Sequence, residues 1–258
     1  MSFEFVKTQR HGHVLMVTLD RPKVYNAVHQ PMHYELAQVW DNFSQDHGLW
    51  VAVLTGAGEK AFCAGNDLKF TANGGRSSLP PSGFSGLTQR FDLEKPIIAA
   101  VNGYAMGGGF ETALSCDMII ASENATFALP EVKVGFLAAA SGIQRLSRYI
   151  GRLTAQEMMF TGRSVKADEA LKMGIVNDVV PHNQLIECAL AKAQEIASVS
   201  PSAIKATKRI LNDLALRENL SQSLNFSREV MAELGKTEDF KEGVNAFVEK
   251  RKPNWVNR

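Results

Sequence analysis

The sequence predicts an α/β core built around a parallel sheet, followed by an all-helical C-terminal region. Three observations carry that prediction. Short runs of consecutive apolar residues at 51–55, 97–101 and 118–121 have the look of strands buried on both faces. Helix-like segments separate those runs, which argues for βαβ units. Beyond about Pro181 every periodic segment is helical. The expected boundaries are 1–195 for the core and 196–258 for the helical region.

Residues 3–9 and 13–19 read as paired strands, the second ended by Asp20-Arg21-Pro22. Pro31 then opens a helix, with Met32, Leu36, Val39, Trp40 and Phe43 recurring at three- and four-residue steps. Residues 71–86 are rich in Gly, Ser and Pro and read as a mobile loop that could cover a site. Helical spacing recurs over 184–198, 201–216, 220–234 and 239–251, interrupted at Ser200-Pro201 and Gly235.

The composition excludes several classes. The 258 residues hold 28 Lys+Arg and 27 Asp+Glu, a net charge of +1, so no broad basic field awaits nucleic acid. Cys63, Cys116 and Cys188 lie far apart and form neither a CxxC pair nor a disulfide ladder, which favours a reduced, cytoplasmic setting. The six histidines show no metal-ligand spacing beyond His29 and His33, which straddle Pro31; no metal is expected, and surface or capping roles are. The N-terminal residues lack the apolar core of a leader, and no apolar run approaches the roughly 18–20 residues of a membrane span.

Two glycine-bearing segments follow apolar strands. Gly56, Gly58 and Ala61 superficially match the dinucleotide fingerprint. Gly65-Asn66 interrupts the helix that fingerprint requires, and no acid follows at the needed distance. Gly107-Gly108-Gly109 precede a helix-forming run and would present bare N–H groups at its start, which suits a tight turn or an anion hole. Glu111 falls in that helix's first turn, and Glu131 follows a proline-fixed turn at Pro130. Ser85 is a near miss of a nucleophile elbow with no strand before it. Asp67 is read as a helix cap, and Asp117 as the close of a helix before the next strand.

Taken together, these segments resemble the enoyl-CoA hydratase/isomerase (crotonase) superfamily over nearly the whole chain. The most specific stretches are Phe62-Cys63-Ala64-Gly65-Asn66-Asp67-Leu68-Lys69, the run from Asn102 to Glu111, and Phe127-Ala128-Leu129-Pro130-Glu131 with Gly135 following. Gln144-Arg145-Leu146 and Thr161-Gly162-Arg163 also fit. The resemblance implies a crotonase-type ββα spiral core with a C-terminal helical trimerisation region. It implies an enzyme assembled as a homotrimer or a dimer of trimers, acting on acyl-CoA thioesters. No cofactor is implied beyond the CoA of the substrate, and neither a nucleic acid nor a membrane partner.

The resemblance places the family's oxyanion-hole N–H groups on Ala64 and Gly108, where losing one donor typically costs about 3 kcal/mol. It implies that a Cβ on Gly108 would crowd the thioester. It makes Glu131 the proton donor to C2 and Glu111 the residue that orients and deprotonates water. Gly65, Asn66, Asp67 and Leu68 are placed along the substrate. Lys23 and Val24 are placed against CoA, with Phe247 and Lys250 reaching it from a neighbouring subunit. Both glutamates favour hydration of a 2-enoyl-CoA; double-bond isomerisation, which relies mainly on Glu131, is the alternative. A non-catalytic, RNA-binding member is a remote one.

The chain departs from the hydratase pattern at Ala138-Ala139-Ala140-Ser141-Gly142, where many members have proline and glycines, and at Asn66, where alanine is usual. The stretches 83–88 and 91–96 resemble carnitinyl-CoA dehydratase members more than short-chain hydratases, a hint toward that branch.

Overall fold

A computed structural model describes residues 3–75, 78–216, 229–230 and 232–258; the side chains of 214–216, 247 and 248 are outside the description. The large sheet has six strands in the order β1-β2-β3-β5-β7-β10. These are β1 (Val6–His11), β2 (Val14–Leu19), β3 (Val51–Gly56), β5 (Ile97–Val101), β7 (Met118–Ser122) and β10 (Asp178–Val180). Only β1 and β2 pair antiparallel; from β2 to β10 every pairing is parallel. The small sheet runs β4 (Ala61–Cys63), β6 (Tyr104–Met106), β8 (Thr126–Ala128) and β9 (Val165–Lys166), its first three strands parallel.

The all-apolar strands divide their side chains between two cores. Val14, Met16, Val51, Val53, Ile98 and Ala100 point to one face, which helix α7 (Leu185–Ala197) covers with Leu185, Ala189 and Ala193. Leu15, Val17, Ala52, Leu54, Ile97 and Ala99 point to the other. There they meet α1 (Gln30–Gln45) through Leu36, Val39, Trp40 and Phe43. Burial on both faces removes the polar alternation that a one-sided strand would show.

Three successive turns of the chain repeat one pattern: a strand of the large sheet, a strand of the small sheet, then a helix. They are β3-β4 with α2 (Leu68–Ala72), β5-β6 with α3 (Gly108–Leu114), and β7-β8 with a 3-10 turn (Glu131–Val134) before α4 (Gly142–Ile150). Because β4, β6 and β8 lie side by side and parallel, the segments after their C-terminal ends converge on one edge. Carboxyl ends of parallel strands are where α/β sheets collect ligand-binding loops. Helices α5 (Arg152–Thr161), α6 (Ala167–Lys172), α8 (Pro201–Leu216) and α9 (Glu238–Glu249) complete the described elements.

Among the described residues no helix is long and apolar enough to cross a membrane. The expected helix over 220–234 lies mostly outside the described residues; its end is helical at 232–234. The loop expected over 71–86 is only partly one. Phe84, Ser85 and Gly86 form a buried 3-10 turn clamped between α1 and α3. Ser85 N–H donates to His33 Nδ1 at 2.9 Å, Trp40 Nε1–H donates to the Ser85 carbonyl, and Ser85 Oγ meets Thr112 Oγ1 at 2.9 Å.

Candidate active site

The segment after β4 supplies the first part of the site. Val28 N–H donates to the Gly65 carbonyl, and Asp67 N–H donates to the Val28 carbonyl, so Val28 bridges Asn66 in parallel fashion. That pairing turns the Asn66 N–H the other way, away from Val28. Gly65, at φ +92°, packs directly on the next turn: a Cβ there would stand 2.8 Å from the Met106 carbonyl oxygen and 3.2 Å from Gly108 N. Only glycine satisfies both the left-handed backbone and that close approach.

This geometry corrects the sequence expectation for Ala64. Its N–H donates to the Tyr25 carbonyl at 3.0 Å and is spent on holding the segment. The N–H groups of Asn66 and Gly108 have no acceptor among the described residues. The missing signal was the direction of each peptide across a one-residue bridge, which sequence spacing does not encode. Within the protein, a Cβ on Gly108 would meet the Phe84 ring at 2.5 Å.

Asp67 caps α2 as expected, accepting from Phe70 N–H at 3.0 Å, and pairs with Arg21 at 2.9 Å. Burial alone would raise its pKa, but the Phe70 N–H and the Arg21 guanidinium together hold it below the usual carboxylate value. Asp117 Oδ2 accepts from Ile97 N–H and from Lys208 Nζ, both at 2.7 Å, tying α8 to the sheet. Leu68 is half exposed, 51%, on the opening turn of α2.

The second and third turns supply the carboxyls. Gly107 N–H donates to the Ala128 carbonyl at 2.9 Å, joining the two segments. Glu111, one helical turn later, is 3% exposed, and its Oε1 accepts from Gly142 N–H at 2.7 Å. Burial pushes its pKa up to about 7, aided by the neighbouring Glu131 charge and opposed by N–H groups of Gly142 and Ala140. The Glu131 carboxyl lies over Gly107, with Oε1 3.0 Å from where a Cβ would stand. Burial raises its pKa too, and its buried Oε2 has no hydrogen-bond partner. Two neighbouring carboxyls with raised pKa values thus stand on the turns that follow β6 and β8, the first of which also carries the unengaged Gly108 N–H, an arrangement suited to moving protons beside a developing oxyanion.

Away from these residues, Lys23 stands on the 3-10 turn Pro22–Val24 and lines a cleft of about 360 Å³ with Tyr25, Glu59 and Lys60. Val24 is not among that cleft's lining residues. Lys250 is exposed just beyond α9, which packs on α8. The Phe247 side chain is outside the described residues.

The histidines depart from their expected surface roles at two positions. His29 and His33 are 6% and 1% exposed, and burial lowers the pKa of His33 to about 4, with His29 adding to the effect. His33 therefore serves as a neutral acceptor that seats Ser85. Burial drives the Cys63 thiol up to about 12, so nothing here calls for a thiolate. No cluster of potential metal ligands occurs among the described residues.

The chain belongs to the enoyl-CoA hydratase/isomerase family, whose model matches residues 9–258. A carnitinyl-CoA dehydratase of Citrobacter koseri is 44% identical over 254 residues, covering 96% of this chain and 97% of that one. A carnitinyl-CoA dehydratase of Salmonella typhi is 43% identical over 260 residues, 99% of both chains. Among solved structures, an enoyl-CoA hydratase from Mycobacterium tuberculosis H37Rv superposes with a TM-score of 0.93 at 36% identity, over 98% of this chain and 99% of that one. A probable enoyl-CoA hydratase/isomerase from Mycobacterium abscessus gives 0.92 at 38% identity, over 100% of both.

Proposed function

We propose that this protein is an enoyl-CoA hydratase that reversibly adds water across the C2=C3 bond of a 2-enoyl-CoA thioester. The observation that carries the reading is the meeting of Glu111 and Glu131, both with raised pKa, beside the free N–H groups of Asn66 and Gly108. The thioester oxygen accepts from those two N–H groups. As charge moves onto it, fixed backbone dipoles stabilise the enolate-like state without solvent reorganisation. Glu111, held by Gly142 N–H, orients a water and takes one of its protons while the oxygen bonds to C3. Glu131, whose pKa burial raises and whose Oε2 has no hydrogen-bond partner, delivers a proton to C2. Dehydration runs the same steps backwards.

A carnitinyl-CoA dehydratase-type activity is the second reading, supported by the 44% identity to that relative. Both readings ask for no cofactor beyond the CoA of the substrate. We assign the nucleotide end to Lys23 and its cleft, with Phe247 and Lys250 contributed by the C-terminal helix of a neighbouring subunit in a homotrimer or dimer of trimers. Exposed Leu153 and Phe160, at 83% and 73%, support an assembly that covers them. We divide the chain into a spiral core, 1–195, and a helical region, 196–258, and infer cytoplasmic residence.

The test follows the enoyl thioester absorbance with crotonyl-CoA, branched enoyl-CoA esters and a betaine-bearing analogue. Loss of that band with 3-hydroxyacyl-CoA formed supports hydration. CoA binding without turnover of any enoyl ester would end the hydratase reading. Full double-bond migration by Glu111→Ala protein would favour isomerisation.

A further inference from the structure

Ser141 is the residue before α4, and it holds φ at +92°. That left-handed backbone is strained for any residue bearing a Cβ. Its side chain is clamped: Arg145 Nε–H donates to Ser141 Oγ at 2.9 Å. The clamp is itself fixed, because Arg145 Nη2 donates to the Thr88 carbonyl at 3.3 Å and the guanidinium sits 5.6 Å over the Phe91 ring. Those partners tie α4 to the segment that follows the buried Phe84–Gly86 turn.

The peptide leaving Ser141 carries the Gly142 N–H, whose direction is set by the Ser141 dihedrals. That N–H donates to Glu111 Oε1 at 2.7 Å. The approach is so close that a Cβ on Gly142 would stand 2.9 Å from the same oxygen. Glu111 is faced by the Glu131 carboxyl from the turn after β8, and by the Ala140 and Gly142 N–H groups from the α4 side. Of these, only the Gly142 donation passes through the strained peptide.

We propose that Ser141 and Arg145 are positioning residues for Glu111: the Arg145 guanidinium holds the Ser141 side chain, and the left-handed Ser141 backbone aims the Gly142 N–H at the carboxylate. The proposal rests on the hydration reading for its catalytic meaning. In that reading, the bond favours the charged form of Glu111 and fixes the oxygen that orients water.

The test uses Ser141→Ala, Ser141→Gly, Arg145→Lys and the double variant S141A/R145K, each checked for folding by near-UV circular dichroism. The primary readout is the Glu111 carboxyl titration by infrared difference spectroscopy without substrate, with Glu111→Gln identifying the band. Ser141→Ala and Arg145→Lys should each raise the midpoint by about 0.5–1 pKa unit through loss of the donated bond. The acid limb of kcat should move with it, while KM changes less than about twofold. Ser141→Gly, at ease with a positive φ, should stay within about 0.3 unit of wild type. The double variant should shift no further than either single one, because the two residues act in series. Folded Ser141→Ala and Arg145→Lys proteins with an unmoved Glu111 titration would overturn the proposal, as would additive shifts in the double variant. Absence of enoyl turnover in the wild type would remove the hydration reading alone, since the titration is read without substrate.

Discussion

Glu111 grows from a helix whose seven residues, Gly108–Leu114, are all buried, whereas Glu131 grows from a 3-10 turn, Glu131–Val134, none of whose residues is buried. The walls differ accordingly. The Glu111 wall is packed against β4, β6 and the Phe84 turn, and its carboxylate is held by Gly142. The Glu131 wall continues into Val134, Phe136 and Leu137, which are 58%, 63% and 61% exposed. Identical side chains thereby receive different tasks. The anchored carboxylate suits the placing of a water; the one with an unengaged oxygen suits the handing over of a proton.

Glu131→Gln tests that division most severely. It should lower kcat by about 10³-fold or more while thioester binding, measured by calorimetry with a saturated acyl-CoA, changes little. An equal loss of binding would mean that Glu131 holds the substrate instead.

The anchored wall should reveal its cost through stability. The folded pKa of Glu111, about 7, lies above its ordinary 4.5. The stability that neutral Glu111 contributes is thus fully present below about pH 4.5 and lost as pH rises through about 7. Glu111→Gln should therefore stabilise the protein at pH 8 by up to about 3 kcal/mol and leave it unchanged at pH 4, as read by urea melts. A gain that is the same at both pH values would show that ionisation is not its source.

Gly142→Ala probes the contact between the walls. A methyl 2.9 Å from Glu111 Oε1 must displace the carboxylate, and kcat should fall about 10²-fold with the fold retained. Wild-type kcat would contradict the assigned role of that contact. The mildest change lies outside both walls: Lys23→Ala should raise KM about three- to tenfold with kcat unchanged, and the rise should shrink at high salt. A KM insensitive to Lys23 would move the nucleotide elsewhere.

Much of the fold was legible because burial writes itself into long apolar runs. The strands β3, β5 and β7, the α1 face and α8 all stand close to where periodicity predicts them. The small sheet was not legible. Its strands of two or three residues, such as Ala61–Cys63 and Val165–Lys166, are too short to show a period. Their pairing depends on contacts between distant parts of the chain. The site shows the same division. Glu111, Glu131 and Gly108 were marked by the resemblance of their segments to the family, not by residue type and spacing alone. Ala64, expected as the second N–H donor, is engaged with Tyr25, and the Val28–Asn66 bridge leaves the Asn66 N–H unengaged instead. His33, a polar letter on the apolar-periodic helix α1, and Ser85, one in a breaker-rich stretch, were misread because neither pattern shows the tertiary hydrogen bond that buries them together.

The repeated strand-strand-helix turn has a further consequence. One winding contributes Asn66, the next Gly108 together with Glu111, and the third Glu131. The two proposed N–H donors are thus split between two coils of the same spring, and so are the two carboxyls. Exchange of the third coil's exit turn would replace Glu131 and leave Asn66, Gly108 and Glu111 in place. A scaffold wound this way can change its trade piecemeal, and the alanine run at 138–140 follows the third coil's exit turn.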